Sequence, residues 1–317
     1  DKLTVGMALK CTLRDQSGMI LLSKGHRIEN AATLANIKSR GRIYVEIDES
    51  DEGIRLMMAG LTEMSRKDAP IKDFNKFILG GNAEADDKLV GSLFQRWSDV
   101  ESKLRGVLAS SKDSNDFEAK VQKVYDYIKL LLAEDSAGSQ FLLFHRSVTH
   151  YGGYSALHSL LCAMLSQLVA NVFNLPDAER RALGCAALTM NIGMTALQDE
   201  LALQKQAPSP AQRSMIDAHA ATGRDMLLNA GVKDALWLEA VAQHHSPVSG
   251  PEKLADWQPV PRIARIIQTV DRYTAAMSPR KSRSGRTARD SVRSVVVQAD
   301  AKHDEVGTSL VSILGLS

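Results

Sequence analysis

The sequence predicts a mainly α protein: a helical bundle in the C-terminal half, preceded by further helices and a small β-rich N-terminal module. Three observations carry this. From about residue 100 onward, apolar residues recur at three- and four-residue spacing, the period of a helix with one buried face. The segments so marked are bounded by capping residues, prolines and glycines. Residues 1–50 instead hold short β-prone runs broken by Gly6, Gly18 and Gly25. At 317 residues, 44% hydrophobic and 24% charged, the chain has an ordinary globular composition and length enough for two or three domains.

Within residues 1–50, the runs 8–13 and 19–22 flank the turn signal Asp15-Gln16-Ser17-Gly18, so a hairpin is expected. Asn30 caps a short helix reaching residue 39, with Leu34 and Ile37 on its apolar side. Gly41 ends it and residues 42–47 form a strand. Residues 51–149 read as a helical connecting region. Segments 100–108 and 117–132 are amphipathic, the second through Val121, Val124, Tyr125, Ile128, Leu131 and Leu132, and 110–116 is a polar turn between them. Residues 69–87 read as a loop. Residues 150–317 form the third segment. Leu157, Leu160, Leu161, Met164, Leu165, Leu168, Val169 and Val172 make one apolar stripe. Pro176 and Asp177 open the next helix, which runs through Leu188. Ser209-Pro210 starts another that ends at Asn229 before Gly231. Further helices are expected over 234–244, 260–277, 287–298 and 304–314.

Composition excludes several functions. A net charge of +2 gives no reason to expect a nucleic-acid polymer as partner, and the aromatics are too few and scattered for a base-stacking surface. There is no phosphate-binding Walker loop, no GxGxxG and no GxSxG elbow. No apolar run approaches the roughly 20 residues of a membrane span, and no signal peptide is evident. Cys11, Cys162 and Cys185 form no CxxC pair; Cys162 and Cys185 sit in apolar helical runs, so buried free thiols and a cytoplasmic location are expected. Trp237 and Trp257 are assigned to closing the core, and Gly152-Gly153 to a hinge before a helix.

His158, His219, His244, His245 and Asp271 fall on or at the ends of separate helices. Taken singly, each histidine reads as a surface or hydrogen-bonded core residue. Spread over several helices, they form the pattern by which a bundle core grips a metal ion from more than one side. The segments YSALHSLL, ALTMNIGM, IDAHAATGRDML, AVAQHHS and RIIQTVDRYTAAMSPR together resemble the HD-GYP family of cyclic di-GMP phosphodiesterases, a branch of the HD-type phosphohydrolases. The stretch LTVGMALKCTLRDQSGMILLSKGHRI, with RIYVEI after it, resembles the small domain that often precedes that catalytic domain. The resemblance covers most of the chain, with the middle helices matched only in general character.

The resemblance implies an HD-type helical bundle over 150–317 and metal-ligand positions at His158, His219, His244, His245 and Asp271. It also exposes what is missing. Met190 and Asn191 stand where the family has its defining His-Asp pair, and Met194 replaces the signature lysine. Tyr154 stands where metal-rich members supply a glutamate. The GYP motif is absent, with Gly250-Pro251 as the remnant in SPVSGPEKLADWQPVP. The signature aspartate would bridge two ions and offset their charge; Asn191 is neutral. The first ion would keep only His158 and Asp271, the second His219 with one or both of His244 and His245. No catalytic role is expected at Met190, Asn191 or Met194. One residual divalent transition metal ion, zinc or nickel, is the most cofactor expected. Arg280 matches a family arginine near the nucleotide phosphates, against the blander reading of a solvated basic loop with Lys281, Arg283, Arg286 and Arg289.

Three readings follow. The leading one is a catalytically degenerate HD-GYP-like protein acting as a signalling, sensor or docking module in cyclic di-GMP pathways, with a diguanylate cyclase or other signalling protein as partner. The others are an active cyclic di-GMP phosphodiesterase with an atypical metal site, and a non-hydrolysing cyclic di-GMP receptor. The long middle helices are compatible with a homodimer.

Overall fold

The computed structural model describes residues 91–111, 116–149, 153–247, 250–296 and 305–315, together with three strands and a few single positions before residue 90. The chain divides into two compact units, 1–91 and 92–317.

In the first unit, β1 (Thr12–Arg14), β2 (Ile20–Leu22) and β3 (Tyr44–Glu46) form an antiparallel sheet of order β2-β1-β3. Leu13 pairs with Leu22 on one side and Val45 on the other, with a register shift between Leu13 and Arg14. Leu13 and Ile28 are buried. The expected turn at 15–18, most of the helix at 30–39 and the loop at 69–87 lie outside the described residues.

The second unit is helical. Its first three helices are α1 (Leu93–Ala109), α2 (Phe117–Glu134) and α3 (Ser136–Thr149). Ser92 and Gln95 start α1 with a reciprocal capping box. The α1 residues Trp97, Val100 and Leu104 face inward with Val121, Tyr125, Ile128 and Leu131 of α2. The Trp97 indole donates to Ser139 at 2.9 Å and ties α1 to α3.

At the centre lies α4 (Tyr154–Val172), which packs against α5 (Asp177–Thr189), α9 (Pro259–Met277), α3 and α11 (Glu305–Ile313). It begins at Gly153, whose φ of 66° lies in the left-handed region where glycine carries no Cβ penalty. Contrary to the sequence expectation, α4 is long and apolar enough to cross a membrane by length and composition. The difference arises because small Ser, Ala and Cys residues fill the gaps in its stripe, making it apolar all round. In this fold 83% of its most apolar stretch is buried, the signature of a helix enclosed by others.

A 3₁₀ turn (Ile192–Met194) and α6 (Thr195–Leu203) follow α5. Next come α7 (Pro210–Asn229), α8 (Ala235–Gln243) and a 3₁₀ turn at Leu254–Asp256 before α9. Ser209 and Gln212 form a capping box on α7 with Pro210 as its first residue, and Asp234 caps α8. The chain then continues through α10 (Ala288–Val296) to α11. The bidentate pair Arg262–Glu179 fastens the start of α9 to the start of α5 at 2.7 and 2.9 Å. Trp237 is fully buried as expected. Trp257 is only half-buried, because it lies over Gly250 and donates to the Pro251 carbonyl at 2.7 Å instead of entering the core.

Candidate metal centre

The site is built from α4, the turn after α5, α7, the end of α8, and α9. One group of potential ligands centres on His158. Its Nε2 lies 2.8 Å from Oδ1 of Asp271, and Cys162, one turn further along α4, brings Sγ to 3.7 Å of the same nitrogen. Burial works to lower the His158 pKa, but Cys162, Tyr154 and the hydrogen bond to Asp271 outweigh it and hold the imidazole well above its usual range. Burial alone would raise the Asp271 carboxyl; the His158 hydrogen bond and charge override it and bring Asp271 down to about 2. Both shifts favour an imidazolium donating to a carboxylate.

Tyr154, one turn before His158, stacks on its ring with centroids 5.6 Å apart and planes 11° from parallel. The Arg280 guanidinium lies 5.1 Å above the other ring, Tyr154, and donates to its hydroxyl at 3.2 Å. The arginine singled out for phosphate is thus engaged with an aromatic ring. Arg283 donates to the carbonyls of Ala275 and Ala276 at the end of α9, while Lys281, Arg286 and Arg289 are exposed. A narrow cleft of about 10 Å³, lined by Ser147, Tyr154, Leu157, His158 and Ser278, opens beside His158. Pockets for drug-sized ligands run to roughly 300–1,000 Å³.

The second group is His219, His244 and His245. The ring of His219 lies 5.0 Å from each of the other two, which are 4.1 Å apart. Nδ1 of His219 donates to the Ile216 carbonyl, and Nδ1 of His244 to the Val241 carbonyl at 2.6 Å. Those bonds fix the tautomers and leave Nε2 of each ring as the lone-pair nitrogen. The two Nε2 atoms face one another at 3.1 Å. Burial, then the charge of His245, pushes His244 down to about 4; burial also lowers His219. Two neutral nitrogens pointing lone pairs at each other repel unless a cation stands nearby. The donor set therefore fits one transition metal ion.

Between Cys162 and His219 in sequence stands the turn carrying position 191. Met190 is fully buried and Asn191 nearly so. The Asn191 backbone carbonyl accepts from Met194 at 2.9 Å, while its side-chain amide nitrogen is buried without a hydrogen-bond partner among the described residues. A Cβ on Gly193 would come within 2.5 Å of the His219 carbonyl and 2.9 Å of the Gly223 nitrogen, so only glycine lets the turn lie against α7. A dinuclear centre does not fit, because the side chain at 191 supplies no charge to bridge two cations.

The structure brings His158 together with Asp271, and His219 with His244 and His245. Sequence reasoning overlooked Cys162, which joins the first group; its place four residues after His158 on one helix was the available signal. It also overlooked Asp199 of α6, whose carboxylate accepts the Ser155 backbone N–H at 2.7 Å and hydroxyl at 2.9 Å, holding the first turn of α4.

A family model described as HD domain matches residues 143–306, just over half of the chain, a span within which all five expected ligand positions fall. The chain belongs to the HD-domain family. The chain is similar to the cyclic di-GMP phosphodiesterase PA4108 of Pseudomonas aeruginosa, at 28% identity over 143 residues. That match covers 44% of this chain and spans about a third (34%) of the curated relative's length. The fold is similar to that of Bd1817, a HDG"Y"P protein from Bdellovibrio bacteriovorus, with a TM-score of 0.58 and 13% identity over 99% of this chain and 97% of that one.

Proposed function

We propose that this protein is a catalytically degenerate member of the HD-GYP group, a signalling or docking module in cyclic di-GMP pathways rather than a hydrolase. The observation that carries the reading is Asn191, a buried neutral amide at the position from which the family's aspartate would bridge two ions. Hydrolysis of a phosphodiester needs a metal-activated water and cations to neutralise charge growing on the phosphoryl oxygens. In this chain His219, His244 and His245 would hold one transition metal ion, which would supply Lewis acidity only. His158 is hydrogen-bonded to Asp271, and that pair lacks the acid at 191 through which the family would add a second ion.

In this reading residues 150–317 carry the HD-GYP-like domain, 51–149 connect it to the small module of residues 1–50, and the protein acts in the cytoplasm. A diguanylate cyclase is the kind of partner proposed, and a homodimer the proposed assembly. The receptor alternative draws on Arg280, but its guanidinium stacks on Tyr154, and the cleft beside His158 is small for a cyclic dinucleotide.

The test is turnover of cyclic di-GMP by the purified chain with manganese or iron added. No cleavage above background should be seen, and metal-dependent multiple turnover would overturn the reading. A Met190→His, Asn191→Asp double variant should gain a dinuclear centre, detectable by magnetic coupling between bound manganese ions.

A further inference from the structure

We propose that His158, Cys162 and Asp271 form a site for a single thiophilic divalent ion, such as zinc or cobalt, bound through sulfur, nitrogen and oxygen. One ligand atom from each residue lies within 4.8 Å of the others. Two of the three ligands come from consecutive turns of α4, the most enclosed helix of the unit. The His158 ring is further fixed by the Tyr154 stack. The site is thus held by packing rather than by a loop.

Charge favours this group over the histidine trio as a resting place for a buried ion. One thiolate and one carboxylate offset a divalent charge, whereas three neutral imidazoles leave it uncompensated. The Cys162 thiol and the His158 imidazolium each give a proton to solvent as the ion binds, and His158 Nε2 exchanges its hydrogen bond to Asp271 for the bond to the ion. Three protein ligands leave a fourth position of a tetrahedral ion open, and a narrow cleft lined by Tyr154, His158 and Ser278 opens beside the histidine. A thiolate ligand selects zinc or cobalt over the manganese or magnesium that oxygen-rich sites prefer.

Nothing in this site depends on the acid missing at position 191, so ion binding and hydrolytic silence stand or fall separately. The decisive experiment titrates cobalt into the chelator-stripped full chain in a Cys11→Ser background and follows the near-ultraviolet charge-transfer band of a cobalt–thiolate bond. The band should saturate and persist in His244→Ala, where only the histidine trio is broken. In Cys162→Ser it should vanish, with affinity reduced roughly tenfold or more. Absence of the band, or a band unchanged in Cys162→Ser, overturns the proposal. Should that variant fail to fold, X-ray absorption of the zinc-loaded Cys11→Ser protein decides. A sulfur neighbour at about 2.3 Å supports the site, and nitrogen and oxygen neighbours alone overturn it.

Discussion

Thr189 stands immediately before Met190, and its hydroxyl accepts the Trp237 indole N–H at 2.7 Å while donating to the Cys185 carbonyl at 2.8 Å. Both side chains are fully buried, so the bond joins α5 to α8 just where the chain turns into the site. Replacing Thr189 with valine keeps the shape but leaves the indole N–H unsatisfied, a loss of about 1–3 kcal/mol. Urea unfolding should show that loss. Combining Thr189→Val with Trp237→Phe should cost less than the two changes summed, since the orphaned donor is then gone; strict additivity would argue against the bond. At this scale the histidines and Asp271 were legible because imidazole and carboxylate are rare on apolar helices. Cys162 was not, because a thiol counts as a small hydrophobe until a neighbour gives it chemistry. The Tyr154–Arg280 contact was illegible too, since it joins residues far apart in the chain.

Between elements, backbone approach rather than side-chain chemistry sets the geometry of the centre. The turn Ile192–Met194 lies on α7 because neither Gly193 nor Gly223 carries a side chain there. A methyl at Gly193 meets backbone atoms, which cannot swing aside, so Gly193→Ala should destabilise by at least the roughly 1–3 kcal/mol typical of overpacking. It should also push α7 outward and weaken nickel binding at His219 and His244, measured by calorimetry. Unchanged stability and affinity would show that the turn is more yielding than its contacts imply. Removing the Asp199 carboxylate should loosen the first turn of α4 by about 1 kcal/mol, as for other helix caps. The Asp199→Ala change should appear as faster amide exchange at Ser155 through Leu157. Helices with strong punctuation were legible: Ser209-Pro210 and Asp234 mark α7 and α8 where they begin. Of the elements that went unnamed, α6 lacks such marks, and the one on α3, Asp135 accepting the Gly138 backbone N–H at 2.8 Å, was overlooked at the end of the preceding helix. α3 opens Ser-Ala-Gly-Ser and exposes Phe141, and α6 emerges from a 3₁₀ turn with no side-chain cap.

For the unit of residues 92–317 as a whole, the buried acids of its core govern the response to alkali. Burial raises the pKa of Tyr125, whose hydroxyl donates to Gln167 at 2.7 Å, and of the Cys185 thiol. Burial also pushes Tyr273 on α9 up to about 12. An unfolded chain would release these protons near pH 8.5 for cysteine and 10 for tyrosine. Below those values both states are protonated and stability is independent of these groups. Above them the unfolded state ionises first, binds fewer protons than the folded state, and is favoured by each further rise in pH. Tyr273 alone should therefore withdraw on the order of 2–3 kcal/mol as pH climbs from about 10 toward 12, at up to about 1.4 kcal/mol per pH unit. Urea midpoints measured from pH 8 to 11 should hold nearly level at first and then fall ever more steeply. Tyr273→Phe should shallow the upper part of the curve, because phenylalanine has no proton to lose. A wild-type curve flat to pH 11, or one that Tyr273→Phe leaves unchanged, would mean that these groups reach solvent in the folded state.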